Sequence, residues 1–266
     1  MKLQREFFLQ PTLKVAKELL GKYIVRKYKG KLIIGKIVET EAYIGPKDKA
    51  SHAYSKKEQK IKEKLKVINE NWKRIKNYVE NKEKFIKRIL SMKNNKVTKR
   101  NLAEYLKGGH IYIYLVYGNY YQLNITTFQE GYPECVLIRS LEPLPRMNAD
   151  LARIYADHTR MNADMELINS DKEIRKNPFK NQHKSVVLRM NIDPKGPGRV
   201  CQYLKLYSSF WGEDLCQSKR IWLIDGEKIN KNDIIKAKRV GIDYAGEDAN
   251  LLWRFYLKNN QWVSKK

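Results

Sequence analysis

The sequence predicts an α+β fold in which a mainly antiparallel, curved sheet is surrounded by helices. Short β-rich segments recur from residue 23 to residue 257, and amphipathic helical segments are scattered among them instead of following each strand. With 266 residues, of which 42% are hydrophobic, the chain is long enough to bury a sizeable core. One domain spanning residues 1–266 is therefore a better expectation than two.

The N-terminal part of the chain predicts a helix followed by a β-hairpin. Apolar residues recur at helical spacing between Pro11, a favourable first helical residue, and Gly21, a common helix terminator. Residues 23–28 and 32–40 are rich in β-forming side chains and are joined by a Lys-Gly-Lys turn. These two segments are predicted to pair as antiparallel strands.

Two glutamates lie close together at the end of the second strand. Glu39 and Glu41 are two residues apart, so on a strand both side chains point to the same face. Tyr43 and His52 follow within a dozen residues. A pair of acids near an aromatic ring and an imidazole is typical of a functional site. If only the two acids were present, a solvent-facing strand edge with polar residues would be the better interpretation.

Residues 55–97 have a different pattern and predict a Lys-rich helical insertion. Residues 55–100 contain 17 Lys or Arg against 5 Glu. Apolar residues between Ile61 and Val79 recur at alternating steps of four and three, the spacing of a coiled-coil seam, and a shorter helical run follows. The insertion either adds contacts to a phosphate backbone or is a solvated segment that contacts nothing, and the sequence favours neither alternative.

The rest of the chain predicts more strands. They cover residues 110–116, 122–126, 135–140, 221–224, 239–242 and 253–257. Tyr112 and Tyr114 alternate onto one face of the first of these, and Tyr117 with Gly118 forms a tight aromatic turn after it. Arg139 ends an otherwise apolar strand, where a charge is costly unless it is paired or functional.

Two further segments have a weaker signal. Residues 145–185 are polar and predict loop and helix, with Arg-Met-Asn-Ala-Asp occurring twice. The Gly-Pro-Gly-Arg segment at residues 196–199 predicts a turn that opens a helix, a geometry suited to binding a phosphate group.

The net charge of +25 restricts the partners of the chain. Such a charge attracts polyanions, with nucleic acid as the first candidate and an acidic membrane surface as the second, although a Lys-rich codon bias raises the charge without function. No apolar stretch is long enough to cross a bilayer and the N-terminus does not resemble a signal peptide, so the protein is expected to be intracellular. Three widely spaced cysteines argue against both disulfides and a zinc site.

Several motifs occur in order along the chain. They are Val38-Glu39-Thr40-Glu41-Ala42-Tyr43, Tyr112-x-Tyr114-x-x-Tyr117-Gly118, Asn124, Leu137-Ile138-Arg139-Ser140-Leu141-Glu142-Pro143, Gly196-Pro197-Gly198 and Arg239-Val240-Gly241-Ile242-Asp243. Together they resemble the alkyladenine (3-methyladenine) DNA glycosylase family. The resemblance extends over most of the chain and is interrupted mainly by residues 55–97 and 145–190.

The resemblance implies a function and a catalytic group. It implies a monofunctional enzyme, expected to be a monomer, that flips alkylated or deaminated purines (3-methyladenine, 7-methylguanine, hypoxanthine) out of double-stranded DNA without metal or organic cofactor. By this resemblance Glu41 activates the water that hydrolyses the N-glycosidic bond, and Arg139 and the backbone carbonyl of Val240 hold that water. Arg139 is also expected to depress the pKa of Glu41. Glu39 is expected to have a structural role as the partner of a cation.

The resemblance also implies residues that hold the extruded base. Tyr43, His52 and Tyr114 match the stacking and edge contacts, because electron-rich rings attract a positively charged alkylated purine. Asn124 matches the residue that crowds the purine 2-position and so excludes normal guanine. The insertion begins shortly after His52, where the chain departs from the family pattern.

Four more residues match positions that contact DNA outside the base pocket. Tyr117 matches the wedge that fills the gap left by the extruded nucleotide. Arg100, Gly198 and Arg199 match contacts to the DNA backbone. Two departures occur here: Lys99 stands where a proline is common, and Arg199 stands where a lysine is usual, which alters the geometry of a phosphate contact.

Two other functions compete with this interpretation. A non-catalytic nucleic-acid-binding protein, whose tyrosines stack on bases, accounts for the charge and the aromatic residues. It leaves Glu41 and Arg139 without a role. A hydrolase of another acyl or glycosyl bond lacks a nucleophile and base motif in this sequence.

Overall fold

A computed structural model describes residues 1–144 and 191–265. The polar segment predicted at residues 145–185 lies outside these ranges. The α-helices of the described part are α1 (Arg5–Phe8), α2 (Thr12–Glu18), α3 (Ile61–Glu70), α4 (Trp72–Ile75), α5 (Lys82–Ser91) and α6 (Pro197–Tyr203). The strands are β1 (Tyr23–Tyr28), β2 (Lys31–Ile44), β3 (Ile111–Val116), β4 (Tyr120–Thr126), β5 (Glu134–Pro143), β6 (Ile221–Ile224), β7 (Ile234–Ala237) and β8 (Arg254–Leu257).

These eight strands form one curved, unclosed antiparallel sheet, which confirms the predicted α+β class. The strand order is β3-β4-β5-β2-β1-β6, and β8 pairs with both β2 and β7. The 14-residue strand β2 organises the sheet, because β5 pairs along one of its edges while β1 and β8 share the other. Strand β2 continues to Ile44, four residues beyond the predicted end.

The pairing between β2 and β5 is irregular beside the two glutamates. Ile37 pairs with Leu141, but Glu39 pairs with Ser140, and the register shifts on both sides of Glu39. Bulges of this kind occur next to active sites, where they redirect side chains. Here the irregularity lies where Arg139 of β5 meets the acids of β2.

The main core lies between the sheet and the two helices that cover it. Val15 and Ala16 of α2, Leu19 directly after it, and Val200 and Leu204 around α6 are completely buried in this cluster. Burying an aliphatic side chain of this size contributes roughly 1.5–3 kcal/mol. The sheet is therefore a rigid support for the side chains on its other face.

The helices of the insertion pack against the body of the protein. Ile68, Ile75, Phe85 and Ile89 are completely buried in a second hydrophobic cluster. That cluster also contains Tyr112 and Cys135 of the sheet and the neighbouring residues Leu102, Ala103, Tyr105 and Leu106. The insertion is therefore not a solvated segment without contacts to the rest of the protein, whereas its contact with a phosphate backbone stays a prediction. The boundaries at residues 55 and 97, and the single-domain organisation, stay predictions.

The predicted coiled-coil seam between Ile61 and Val79 is replaced by two short helices, α3 and α4, and the shorter helical run predicted after it is confirmed as α5. The chain turns at Asn71, whose side chain amide donates to the carbonyl of Val67, and again before α5. Ile61 of the expected seam is 58% exposed, whereas Lys64 is buried with its Nζ bound to Glu58 and Asn95. The spacing of the apolar residues predicted helices correctly but not their number, because a heptad pattern does not show where a chain folds back.

One predicted strand is wrong. Residues 239–242 form a loop between β7 and a 3-10 helix at Asp243–Asn250. The N–H group of Val240 donates to the side chain of Glu41 instead of a neighbouring strand, and Gly241 has a positive φ of 73°. Because this backbone N–H is bonded to a buried carboxylate, it is not available for the hydrogen bonds of a regular β-sheet. No helix in the described ranges is long and apolar enough to cross a membrane.

Candidate active site

A cavity opens beside the C-terminal half of β2, between the β3–β4 hairpin and the loop after β7. Its volume is about 280 Å³. Pockets for small molecules have volumes of roughly 300 Å³ and above, so this cavity is near the lower limit and suits a group of the size of one planar base. Glu41, Tyr114 and Asn124 line its wall, and Tyr117 lies at its edge.

Glu41 is completely buried in this wall and is held by three groups. Its Oε1 accepts a hydrogen bond of 2.8 Å from the N–H of Val240, and its Oε2 accepts one of 3.0 Å from the hydroxyl of Tyr43. Arg139 Nη1 lies 3.3 Å from Oε2. An ionised carboxylate has about four lone-pair directions, so Oε1 keeps one free for a further donor such as water.

The expected depression of the Glu41 pKa is wrong. Burial raises the pKa of Glu41 above its ordinary value, and the nearby charge of Glu39 acts in the same direction. Arg139 and the hydrogen bonds from Val240 and Tyr43 oppose this shift without reversing it. A neighbouring cation was visible in the sequence pattern, but complete burial was not, and desolvation disfavours the charged form.

Glu39 has the structural role that was predicted. Its Oε1 accepts from Arg139 Nε at 3.1 Å and from Arg254 Nη1 at 2.9 Å, and its Oε2 accepts from the N–H of Ser264 at 2.7 Å. Both glutamates contact Arg139, which confirms that they point to the same face of β2. Glu39 thereby anchors Arg139 beside Glu41.

A buried ion pair fixes the loop that carries Val240. The guanidinium of Arg239 donates to both carboxylate oxygens of Asp48, at 2.5 and 2.8 Å, and to the carbonyl of Ala42 at 3.0 Å. Such a two-point contact is geometrically specific. It holds the backbone N–H of Val240 against Glu41. The residue pattern of the sequence at residues 239–242 does not indicate this contact.

Aromatic rings form one side of the cavity. The rings of Tyr112 and Tyr114 lie 5.0 Å apart, and the ring of His52 lies 4.7 Å from that of Tyr114. His52 Nδ1 lies 2.8 Å from the Tyr112 hydroxyl, and the Tyr114 hydroxyl donates to Gln122. His52 is exposed at the mouth of the cavity, and the insertion after it has not removed it from the site.

The charge state of His52 follows from its surroundings. The surrounding protein atoms reduce the hydration of the imidazole, and this desolvation, together with the positive charge of Arg100, lowers the pKa of His52 to about 4. The imidazole is therefore neutral at pH 7, and its ring faces the cavity as an uncharged aromatic group.

Asn124 lies deeper in the cavity and is almost completely buried. Its amide nitrogen donates to the carbonyl of Tyr112 at 3.2 Å, and its amide oxygen lies 3.8 Å from Cys135 Sγ. These contacts fix the orientation of the amide, so Asn124 is a rigid part of the wall.

Tyr117 lies at the tip of the β3–β4 hairpin and is 92% exposed. Its backbone is left-handed, with a φ of 51°, and Gly118 follows with a φ of 72°. A residue other than glycine in this conformation costs roughly 1–3 kcal/mol, and such costs concentrate at functional sites. An exposed aromatic ring on a strained turn beside a cavity is suited to insertion into a partner.

The three residues predicted to contact the DNA backbone occupy different surroundings. Arg100 is exposed at the cavity, where its guanidinium lies 4.6 Å from the centre of the Tyr114 ring. Arg199 is exposed at the start of α6, 3.9 Å from Asp193. Gly198 lies so close to Tyr120 that an added Cβ would come within 3.0 Å of that side chain. The roles of these residues stay predictions.

Several residues of the cavity were not among the predicted site residues. They are Glu104, Tyr112, Gln122, Cys135 and Tyr244, together with small apolar neighbours. The alternation of Tyr112 with Tyr114 was a usable signal, whereas Glu104 had none. No group of three or more His, Cys, Asp or Glu side chains within residues 1–144 and 191–265 is arranged to bind a metal ion.

The fold and the cavity define a class of protein. A strongly basic chain presents an exposed aromatic side chain beside a base-sized, tyrosine-lined cavity with a buried carboxylate at its wall. These are the features of an enzyme that acts on a single base of a nucleic acid.

Comparison with known proteins identifies the family. A model of the family described as Methylpurine-DNA glycosylase (MPG) matches residues 6–66 and 90–261 and leaves residues 67–89 of the insertion unmatched. Two relatives named "Putative 3-methyladenine DNA glycosylase", from Clostridium tetani (strain Massachusetts / E88) and Clostridium perfringens (strain 13 / Type A), are each 35% identical, with 100% of both chains covered. A third of that name, from Methanocella arvoryzae, is 32% identical over 99% of this chain and 96% of its own. The chain belongs to the methylpurine-DNA glycosylase family and is a DNA glycosylase that functions in DNA repair.

Proposed function

We propose that the protein excises 3-methyladenine, 7-methylguanine and hypoxanthine from double-stranded DNA, acting as a monomer and without cleaving the strand. The observation that carries the proposal is the buried Glu41 carboxylate at the wall of a cavity of about 280 Å³. A base inside a duplex is inaccessible at its sugar bond, so the damaged nucleotide must first rotate out of the stack into this cavity.

In this mechanism the hairpin tip replaces the extruded nucleotide. Tyr117 is exposed and held on a strained turn, so its ring can enter the gap without losing packing contacts in the free protein. The extruded base then stacks against the rings of Tyr114 and His52, and a cationic alkylated purine gains from their electron-rich faces. Asn124, rigidly bonded at its amide nitrogen, narrows the space beside the base.

Hydrolysis is assigned to Glu41. A water bound at the free lone pair of Oε1 gives a proton to Glu41 as its oxygen bonds to the sugar carbon C1′, while the C1′–N bond breaks and its electron pair leaves with the base. The carboxylate also offsets the positive charge that develops on the sugar. Arg139 favours the ionised form of the buried carboxylate, and its own contact with Glu39 fixes its position.

The raised pKa of Glu41 is consistent with this role. A general base is most effective when its pKa approaches the working pH, because a stronger base draws the proton of water more strongly. Excision is therefore expected to decline on the acid side at a pH above the ordinary carboxyl pKa of 4.5.

The test is excision by a Glu41→Gln variant. The amide has the shape of the carboxylate but accepts no proton, so single-turnover excision from duplexes with one hypoxanthine or one 7-methylguanine should fall at least 100-fold while binding persists. Glu70→Gln, the same change on the exposed surface of α3, is the matched control and should excise like the wild type. Equal excision by the Glu41→Gln and wild-type proteins would reject the assignment, and trapping of a covalent imine by borohydride would reject the absence of strand cleavage.

A further inference from the structure

Glu104 is a second buried carboxyl group in the wall of the cavity. It lies in the 3-10 helix Leu102–Tyr105, and the residue is 1% exposed. Ser51 Oγ and Cys135 Sγ donate to its Oε1 over distances of 3.4 and 3.5 Å. Its Oε2 has no hydrogen-bond partner among the residues that the structure describes.

The charges around Glu104 are unfavourable to its ionised form. No ion pair of the described ranges includes it, and the charged groups that face it are the acids Asp48 and Glu134. Its other neighbours are the neutral hydroxyl and thiol of Ser51 and Cys135. Burial, reinforced by the two acids, raises the pKa of Glu104 to about 8. The group therefore carries a proton at neutral pH.

This environment differs from those of the other glutamates at the site. Glu39 is equally buried but is bonded to Arg139, Arg254 and a backbone N–H, and Glu41 is bonded to Arg139, Val240 and Tyr43. Nearly all buried polar atoms in proteins have a partner, so an orphaned oxygen requires an explanation. A group that completes its hydrogen bonding only when the cavity is filled satisfies that requirement.

Glu104 and Asn124 lie at the same end of the cavity. The thiol of Cys135 contacts Glu104 Oε1 at 3.5 Å and Asn124 Oδ1 at 3.8 Å, so the two polar side chains flank one sulfur. The amide nitrogen of Asn124 is already committed to the backbone of Tyr112. Among the polar side-chain atoms of these two residues, Glu104 Oε2 is the one without a hydrogen-bond partner in the described ranges.

We propose that Glu104 determines base specificity by donating a hydrogen bond, from its carboxylic acid O–H, to a ring nitrogen or carbonyl oxygen of the extruded purine. The proposal rests on the excision function proposed above. A neutral carboxylic acid offers one donor, whereas its ionised form only accepts. The acid form therefore favours a purine that presents an acceptor at this end of the cavity, and ionisation abolishes that preference.

Three proteins test this role: the wild type, Glu104→Gln and Glu104→Leu. The glutamine is neutral at every pH and keeps a donor, whereas the leucine has none. Single-turnover excision is measured from pH 6 to pH 9.5 on the duplex, with hypoxanthine or with 7-methylguanine, that the wild type processes faster. Because both the wild type and the Gln variant act on the same base, the titration of the base cancels in the ratio of their rates.

At pH 7 the Gln variant should excise within a few-fold of the wild type, while the Leu variant should be roughly 10-fold slower or more, since it leaves a buried acceptor unpaired. The ratio of the wild-type rate to the Gln rate should fall as the pH rises through about 8. A ratio that is flat with pH would overturn the proposal even if the Leu variant fails to fold. Equal losses in the Gln and Leu variants would also overturn it, because they would indicate transfer of the proton instead of a shared hydrogen bond.

This result is distinguishable from failure of the proposed function. If the wild type excises neither base, the function proposed above is wrong. If the wild type excises a base and the Leu variant does so equally well, the function stands and the role of Glu104 is wrong. Binding of each variant to undamaged duplex should match that of the wild type, because Glu104 is buried away from the protein surface.

Discussion

Replacing Arg139 by methionine should separate the structural and catalytic consequences of one buried guanidinium. Methionine keeps the length and apolar character of the side chain but removes the charge. Arg139 is the cation paired with Glu41 in the described part of the chain, at 3.3 Å, and it also pairs with Glu39 at 3.1 Å. Both carboxylates are completely buried, so neither can be rehydrated without opening the sheet.

The expected loss of stability follows from this geometry. Removing one partner of a buried ion pair typically destabilises a protein by about 3–5 kcal/mol, because an uncompensated charge remains inside. Glu39 keeps Arg254 and the N–H of Ser264, so the larger part of the penalty falls on Glu41. Since whole domains unfold at a cost of roughly 5–15 kcal/mol, the variant should be measurably weakened but still folded at low temperature.

The same change should shift the pH dependence of excision. Without Arg139, the pKa of Glu41 rises further, because the positive charge that opposes the effect of burial is lost, so the acid-side decline of the excision rate should move to higher pH. The loss of stability caused by Arg139→Met should also depend on pH. It should shrink as the pH falls through the raised pKa, because a protonated Glu41 no longer carries a buried charge.

Urea unfolding and single-turnover excision, each measured from pH 5 to pH 9, test both statements. Arg254→Met is the matched control, because Arg254 binds Glu39 at 2.9 Å but has no ion pair with Glu41. It should lose stability without moving the acid-side decline of excision. If Arg139→Met unfolds like the wild type, or if its acid-side decline coincides with that of Arg254→Met, the electrostatic coupling of Arg139 to Glu41 is refuted.

Two further predictions concern contacts with DNA. Tyr117→Ser should weaken binding to duplex DNA with a lesion more than binding to a single strand, as measured by fluorescence anisotropy. The control Tyr207→Ser, at another exposed tyrosine, should affect neither binding. An equal loss of binding to both substrates would exclude a wedge role for Tyr117. Changing Lys62, Lys73 and Lys87, all exposed on the insertion, to glutamine should reduce the slope of log K against log salt by up to about 0.9 for each lysine that contacts a phosphate. An unchanged slope would show that the insertion has no part in DNA binding.

The lysine substitutions are preferable to deleting the insertion. Ile75 and Phe85 are completely buried in the same hydrophobic cluster as Leu102 and Tyr105, the two ends of the 3-10 helix that carries Glu104. Deletion would expose this cluster and disturb the cavity wall, so lost DNA binding would have two explanations. Neutralising exposed ammonium groups changes the charge and leaves the packing intact.

The sequence predicted the strands well where they alternate, and less well where polar contacts decide the backbone. Residues 111–116 alternate strictly, because one face of β3 packs into the core while the other carries the tyrosines. Residues 239–242 have strand-forming side chains, but Arg239 is bonded to Asp48, nearly 200 positions away, and the N–H of Val240 to Glu41. A local pattern contains no information about partners so distant in the sequence.

The site shows the same division. Glu39, Glu41 and Arg139 were recognisable because charges inside apolar strands are costly unless they are paired. Glu104 was not, since it follows a lysine-rich segment and belongs to no motif. Its environment is created by folding, which brings Ser51 and Cys135 from two other segments to one of its oxygens.

The different environments of Glu41 and Glu104 suggest how one cavity divides two tasks between identical side chains. Both carboxyls are buried, and burial alone raises both pKa values. Arg139 and two hydrogen bonds limit the shift at Glu41 and favour its ionised form, whereas Asp48 and Glu134 increase the shift at Glu104 and favour its neutral form. Pairs of titratable groups whose surroundings separate their pKa values are a common basis for acid and base assignments. The ionised group then accepts a proton from water at the sugar while the neutral one donates a hydrogen bond to the base, and a shared change in pH would impair them at opposite ends of the range.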